Sequence, residues 1–188
     1  VDPLAGVDLT PVWQLIADPD VQVLVHAGQQ DLEPVVRLLD LEPANVFDTQ
    51  VAAAFTGRPY PLSLRALVEE FTGVRLGKGL TFTRWDRRPL SSGHQRYAAD
   101  DVRYLFAVKD ELDTHLEQHG HVTRVRAECD ALTRAPKYRF DADARVQKLR
   151  GNRTLERRAL AALKAVVIWR NDLARTNDVP PRSLLKDE

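Results

Sequence analysis

Tyr97 and Asp101 are four residues apart, so on a helix they share one face, about 6 Å apart along the axis. A carboxylate with a phenol beside it can hold a metal ion and position the water bound to it. Counted at 100° per residue, Ala98, Leu105, Val108 and Leu112 form one apolar stripe flanked by Tyr97 and Tyr104. Asp101 falls inside that arc, and Asp100 falls outside it, toward Arg103 and Asp110. The spacing therefore predicts that Asp101 faces the core. An ionised side chain there must be paired, hydrogen-bonded or bound to a metal, because leaving it bare costs several kcal/mol, by order of magnitude.

Two further aspartates follow extended runs. Asp31 comes shortly after Val25, and Asp48 directly after Phe47. Active sites on open α/β sheets gather at such carboxyl ends of strands. Both positions also suit the first turn of a helix, Asp31 with Pro34 behind it, and for Asp48 that structural reading is the one adopted. His115, His119 and His121 straddle a helix end at Gly120, too loose a geometry for zinc, and His26 reads as a structural histidine after a buried strand. No Gly-x-Ser-x-Gly, Walker loop or paired Cys-x-x-Cys occurs.

The elements that carry these residues alternate in period. Residues 9–16, 32–39, 49–55 and 63–71 have helical spacing, whereas residues 21–25 and 45–47 are short extended runs. This rhythm predicts an α/β fold with parallel strands and crossover helices. Residues 73–90 form a basic loop punctuated by glycines and bearing Trp85, a surface suited to a polymer chain. Ser92 to Gln95 matches a capping box and opens a long helix expected to reach about residue 117, with Gly120 as its stop. A helix over about 121–132, a polar linker near 133–143 and a helix from 155 to about 175 follow, the last with Thr154 as N-cap and Pro180-Pro181 as terminator.

Of the 188 residues 44% are hydrophobic, as in an ordinary globular protein. The longest apolar run, residues 159–169, is broken by Lys164 and is too short to span a bilayer. A single cysteine, Cys129, excludes an internal disulfide framework and fits a reducing cytoplasm, where it reads as a packed helix residue. The chain has no Met and starts Val-Asp-Pro-Leu, from which a fragment of a longer protein is expected. The formal charge is zero, yet residues 1–133 carry 13 basic against 20 acidic residues and residues 134–188 carry 14 against 7. The basic end suggests a polyanionic partner.

Four segments, taken in order, resemble ribonuclease D: residues 26–32 (His-Ala-Gly-Gln-Gln-Asp-Leu), Phe47-Asp48-Thr49-Gln50, Trp85 with Arg88-Pro89-Leu90, and Tyr97-Ala98-Ala99-Asp100-Asp101-Val102. That family belongs to the DEDDy 3′-5′ exonucleases, named for four acidic residues and a tyrosine. The resemblance implies a ribonuclease-H-like α/β exonuclease domain over residues 1–133, lacking its first strands. The tail from Val146 through Arg150, Leu155 to Trp169-Arg170 and Pro180-Pro181 resembles the HRDC module, which implies a linker at 134–144 and, over 145–188, the start of an all-α HRDC domain. By the resemblance to ribonuclease D, Asp31 and Asp101 are metal ligands, Tyr97 orients the attacking water, and the cofactors are two divalent ions, Mg²⁺ foremost and Mn²⁺ second. Lys78, Arg87 and Arg88 are expected on backbone phosphates, whereas for Trp85 packing is preferred over stacking on a base. The implied substrate is RNA with a single-stranded 3′ end, such as a tRNA precursor, handled in the cytoplasm.

The family's Asp-x-Glu motif, source of the other two carboxylates, is not found. Asp31-Leu32-Glu33 and Asp40-Leu41-Glu42 have its spacing but lie at helix ends. The motif is expected upstream of Val1, and a 188-residue fragment is expected to cleave little or nothing. After Lys78 the family often has a more polar run than Gly79, Leu80 and Phe82. Two other readings use the same residues: a nucleic-acid-binding protein without catalysis, and a DNA-directed 3′-5′ exonuclease.

Overall fold

The computed structural model describes residues 2–77, 79–80 and 83–187. It divides into two compact units, Val1–Tyr138 and Arg139–Glu188, a division that falls within residues 134–144.

In the first unit the order is α1 (Thr10–Ala17), β1 (Val23–Val25), α2 (Gln29–Leu39), β2 (Val46–Asp48), α3 (Thr49–Ala54), α4 (Leu64–Thr72), α5 (Ser92–Arg103), α6 (Leu105–His119) and α7 (Val122–Thr133). The strands β1 and β2 are parallel, with Val23 opposite Val46 and Val25 opposite Asp48, and α2 is the crossover between them. The unit is thus a mostly helical α/β structure. Both short extended runs and all four early helical segments appear within one to three residues of their expected bounds.

The core forms where the apolar stripe of α6 meets its neighbours. Leu105, Val108, Leu112 and Leu116 recur at helical spacing and are all buried. Against them pack Ala52 and Ala53 of α3, Leu67 and Val68 of α4, and Val125 and Cys129 of α7. Each fully buried leucine contributes roughly 1.5–3 kcal/mol of transfer free energy. A second cluster joins Leu32 and Val36 of α2 to Val46, Leu132 and Tyr138, whose hydroxyl donates to the Leu132 carbonyl at 2.5 Å.

Three expectations fail in this unit, all around α5. The long helix opening near Ser92 is two helices, since Tyr104, at φ −102° and ψ −1°, ends α5 and starts α6. Helical phase cannot be carried across that break. Ala98 and Asp101 are exposed, and Asp100 is the more buried of the two aspartates, its side chain 18% exposed. The cap is also one residue earlier than expected: the Ser91 hydroxyl accepts the His94 amide at 3.3 Å. Gly120, at φ 69°, ends α6 as anticipated.

The second unit holds α8 (Ala142–Lys148), α9 (Arg157–Thr176) and α10 (Pro181–Leu184). Helix α9 starts after Glu156, because Thr154 is taken up in the short 3-10 turn Asn152–Thr154. Val146, Val167 and Ala174 are buried, as is Arg170 at 4% exposure. The Arg170 guanidinium donates to the Leu185 carbonyl and the Asp187 carboxylate, both at 2.8 Å, so its charge is paired. No helix of the described residues is long and apolar enough to cross a membrane.

Candidate active site

The loop between β1 and α2 is where the site begins. Ala27 adopts φ 54°, a left-handed conformation that costs a non-glycine residue about 1 kcal/mol. The cost is offset by Asp48, 2% exposed at the end of β2, whose carboxylate accepts from the Ala27 amide at 3.0 Å and the Gly28 amide at 2.9 Å. The same carboxylate caps α3, accepting from Gln50 at 2.8 Å and Val51 at 3.4 Å. Asp48 is thus a clamp joining two loops, consistent with the structural role read from its position. At Gly28 a Cβ would lie 2.5 Å from the Val25 side chain, so only glycine lets the chain turn here. This turn places Asp31 in the first turn of α2.

His26 is fixed beside that clamp. Thr49 spends its hydroxyl proton on the Val25 carbonyl at 3.1 Å, so the 2.9 Å contact between His26 Nδ1 and Thr49 Oγ1 requires His26 to donate. Burial lowers the His26 pKa, the nearby Asp48 charge opposing in part.

One face of α5 lines a cavity of about 840 Å³. Gly93, Arg96, Tyr97, Asp100 and Asp101 recur there at intervals of three and four. The opposite wall is the start of α4, Ser63 to Arg65, with Arg75, Leu76, Gly79 and Leu80 from the segment that follows it. The volume lies in the range of small-molecule sites. Trp85 packs against both His94, ring centroids 4.9 Å apart, and Tyr97, 6.0 Å apart, and its indole donates to the Leu80 carbonyl at 3.2 Å. It therefore buttresses the phenol that lines the cavity.

Asp101 is solvent-accessible at the cavity, yet the surrounding protein desolvates its carboxyl enough to raise its pKa, and Asp100 and Asp31 raise it further. The Asp31 pKa is likewise raised, by desolvation first and also by Asp48, with a backbone hydrogen bond opposing. The charge of Asp31 on α2 is thus felt at Asp101 on α5, although Asp31 itself does not line the cavity. Asp100 is the exception in the cluster, since Arg103 pairs with it at 3.1 Å. Like charges held together at a cleft fit a hard divalent cation, which takes oxygen donors. The set is incomplete: among the described residues no group of three or more His, Cys, Asp or Glu could hold a metal ion.

The basic residues expected on phosphates have separate placements. Lys78 lies outside the described residues. Arg88 is held by Asp2 through two hydrogen bonds of 2.6 and 2.5 Å, with further bonds to the Trp85 and Arg87 carbonyls. Arg87 is exposed on the same loop, and neither Arg87 nor Arg88 lines the cavity. Among the described residues, the basic ones that line it are Arg65, Arg75 and Arg96, which sequence reasoning did not select. The signal for Arg96 was present, as it shares the three-and-four stripe of Gly93, Tyr97 and Asp100.

The sequence pattern of the 3′-5′ exonuclease family matches residues 1–117. A ribonuclease D of Gluconacetobacter diazotrophicus is 39% identical over 189 residues, covering 100% of this chain and 48% of the relative. The chain spans about half the length of the curated relatives it matches. Among solved structures, Escherichia coli RNase D, described as an exoribonuclease involved in structured RNA processing, is similar at a TM-score of 0.88 and 31% identity over 100% of this chain and 50% of that one. Brucella melitensis NrnC with bound Mg²⁺ is similar at a TM-score of 0.60 and 25% identity, over 67% of this chain and 61% of that one. The same protein bound to pGG gives 0.61 and 26% over like shares.

Proposed function

The chain belongs to the 3′-5′ exonuclease family, and from that premise we propose that it is the catalytic part of a metal-dependent exoribonuclease of the ribonuclease D type, shortening RNA from single-stranded 3′ ends. The observation that carries this reading is Tyr97 and Asp101 lining one cleft from α5, with the charge of Asp31, in the first turn of α2, felt at Asp101. Similarity to ribonuclease D along the full chain supports RNA over DNA.

The reaction is hydrolysis of the last phosphodiester: water attacks phosphorus, the bond to the 3′ oxygen of the preceding nucleotide breaks, and a nucleoside 5′-monophosphate leaves. Asp31 and Asp101, as two of the four carboxylates of the DEDDy pattern, would hold two divalent ions, best Mg²⁺ and alternatively Mn²⁺, whose chemistry when bound would be activation of the water and stabilisation of the leaving oxygen. Tyr97, kept in place by Trp85, orients the attacking water. Of the residues expected on backbone phosphates, exposed Arg87 remains a candidate, Arg88 would have to leave Asp2, and Lys78 lies outside the described residues. The ribonuclease-H-like assignment of the first unit rests on the parallel β1–β2 pair with its α2 crossover. The second unit is read as part of an HRDC-type helical module, supported by its excess of basic residues, and the setting as the cytoplasm, where RNA precursors are processed.

A 5′-labelled single-stranded oligoribonucleotide incubated with the intact protein and Mg²⁺ tests the proposal. A ladder shortening one nucleotide at a time from the 3′ end, abolished by chelator and weaker on the matching DNA, is expected. Internal cuts, or a ladder unaffected by chelator, contradict it.

A further inference from the structure

The cleft that receives a nucleic-acid strand is lined on one side by carboxylates, which repel its phosphates. Asp100 is neutralised by Arg103, but Asp101 at the cleft, and Asp31 outside its lining, have no ion-pair partner among the described residues. Catalytic cations answer for the scissile phosphate. The neighbouring phosphates need protein cations of their own, and the described residues of the cavity wall offer three.

Two of these are already engaged. Arg65 donates to the Gly77 carbonyl, and Arg75 pairs with Glu69 at 2.6 Å while its side chain is 85% exposed. Arg96 differs from both. It stands on the same face of α5 as Tyr97 and Asp101, and among the described residues no carboxylate pairs with it. Its natural helical partner one turn on, Asp100, is occupied by Arg103. An unpaired guanidinium at a polyanion cleft, one residue from the phenol and five from the carboxylate of the site, has the fork geometry for phosphate oxygens.

We propose that Arg96 binds a backbone phosphate of the RNA strand beside the scissile one, fixing the 3′ end against Tyr97 and Asp101. This rests on the exonuclease reading above. Arg96 is a binding and positioning residue, so its loss acts on affinity more than on turnover.

The test is fluorescence anisotropy of a labelled single-stranded oligoribonucleotide with the intact protein in chelator, across a salt series, for wild type, Arg96→Gln, Arg96→Lys and a control, Arg124→Gln on the exposed surface of α7. Losing one phosphate contact reduces the slope of log affinity against log salt by about 0.7. Arg96→Gln is expected to show that reduction, with affinity at low salt weaker by about tenfold and KM in the Mg²⁺ assay raised more than kcat is lowered. Arg96→Lys recovers most of the affinity, and Arg124→Gln matches wild type. An Arg96→Gln slope equal to wild type overturns the inference while leaving the exonuclease reading intact. A wild-type protein that binds the strand but never trims it overturns the exonuclease reading, and the salt slopes still decide the phosphate contact. A wild-type protein that neither binds nor trims overturns both.

Discussion

The carboxylate of Asp48 holds the amide of Gly28 at 2.9 Å, and this bond sets where α2 begins. Because Asp31 lies in the first turn of that helix, the position of a proposed metal ligand depends on an aspartate at the end of the other strand. Asp48→Ala strips the acceptor from the amides of Ala27, Gly28 and Gln50 at once, and the Gly28 amide is buried. Destabilisation of about 3 kcal/mol is expected in urea unfolding. A loss under about 0.5 kcal/mol contradicts the clamp.

Gly28→Ala tests the same turn from the steric side. The new Cβ lies 2.5 Å from Val25, so the start of α2 must shift. A cost of about 1–3 kcal/mol is expected, together with a drop in trimming activity larger than lost stability accounts for, measured on the folded fraction. Wild-type activity and stability in this variant show that the turn has room to spare.

Cys129 is buried, its Sγ accepts the Asp48 amide at 3.4 Å, and burial pushes its thiol up to about 11. Thiolate is the reactive form, so at neutral pH the native protein has almost none. No reaction with a thiol-specific reagent is expected in the native state at pH 7.5, and one equivalent after denaturation. Rapid native labelling contradicts the packing of α7 against β2.

In the second unit, hydrogen bonds from Arg170 and then Arg182 hold the Asp187 carboxyl below the usual carboxylate range. The folded form therefore keeps this group ionised at acidities where the unfolded chain is protonated. The resulting stability is fully present above the ordinary carboxylate range and is lost as pH falls through the lowered value. Thermal melts should show an acid-side decline that Asp187→Asn flattens, with that variant less stable at neutral pH because it leaves the buried Arg170 without its counter-charge. Unchanged melts at both ends of the pH range contradict the pairing.

Particular residues show what the sequence makes readable. The stripe of Leu105, Val108 and Leu112, the strand ending at Val25 and the stop at Gly120 follow from local periodicity and turn chemistry, and they stand in the structure as expected. Asp101 was misplaced because its phase was counted from Leu105 across Tyr104, where one helix ends and another begins. A break of one residue resets the angular count, so an inward aspartate became one on the cavity rim. Arg96 was passed over for the same reason, since the face of α5 that matters is defined by Gly93, Tyr97 and Asp100 rather than by the core of α6. Asp48 was legible as a helix cap, but its reach back to Ala27 and Gly28 is a tertiary bond that no local pattern encodes.

The claim that Asp31 and Asp101 form one metal-binding pair is tested most directly by Asp101→Asn in the intact protein, with Mg²⁺-dependent 3′ trimming and RNA binding both measured. Loss of a direct ligand predicts at least a hundredfold fall in trimming, about the upper end of what removing a mere supporting contact costs, while the strand still binds. Trimming at the wild-type rate by Asp101→Asn contradicts the account.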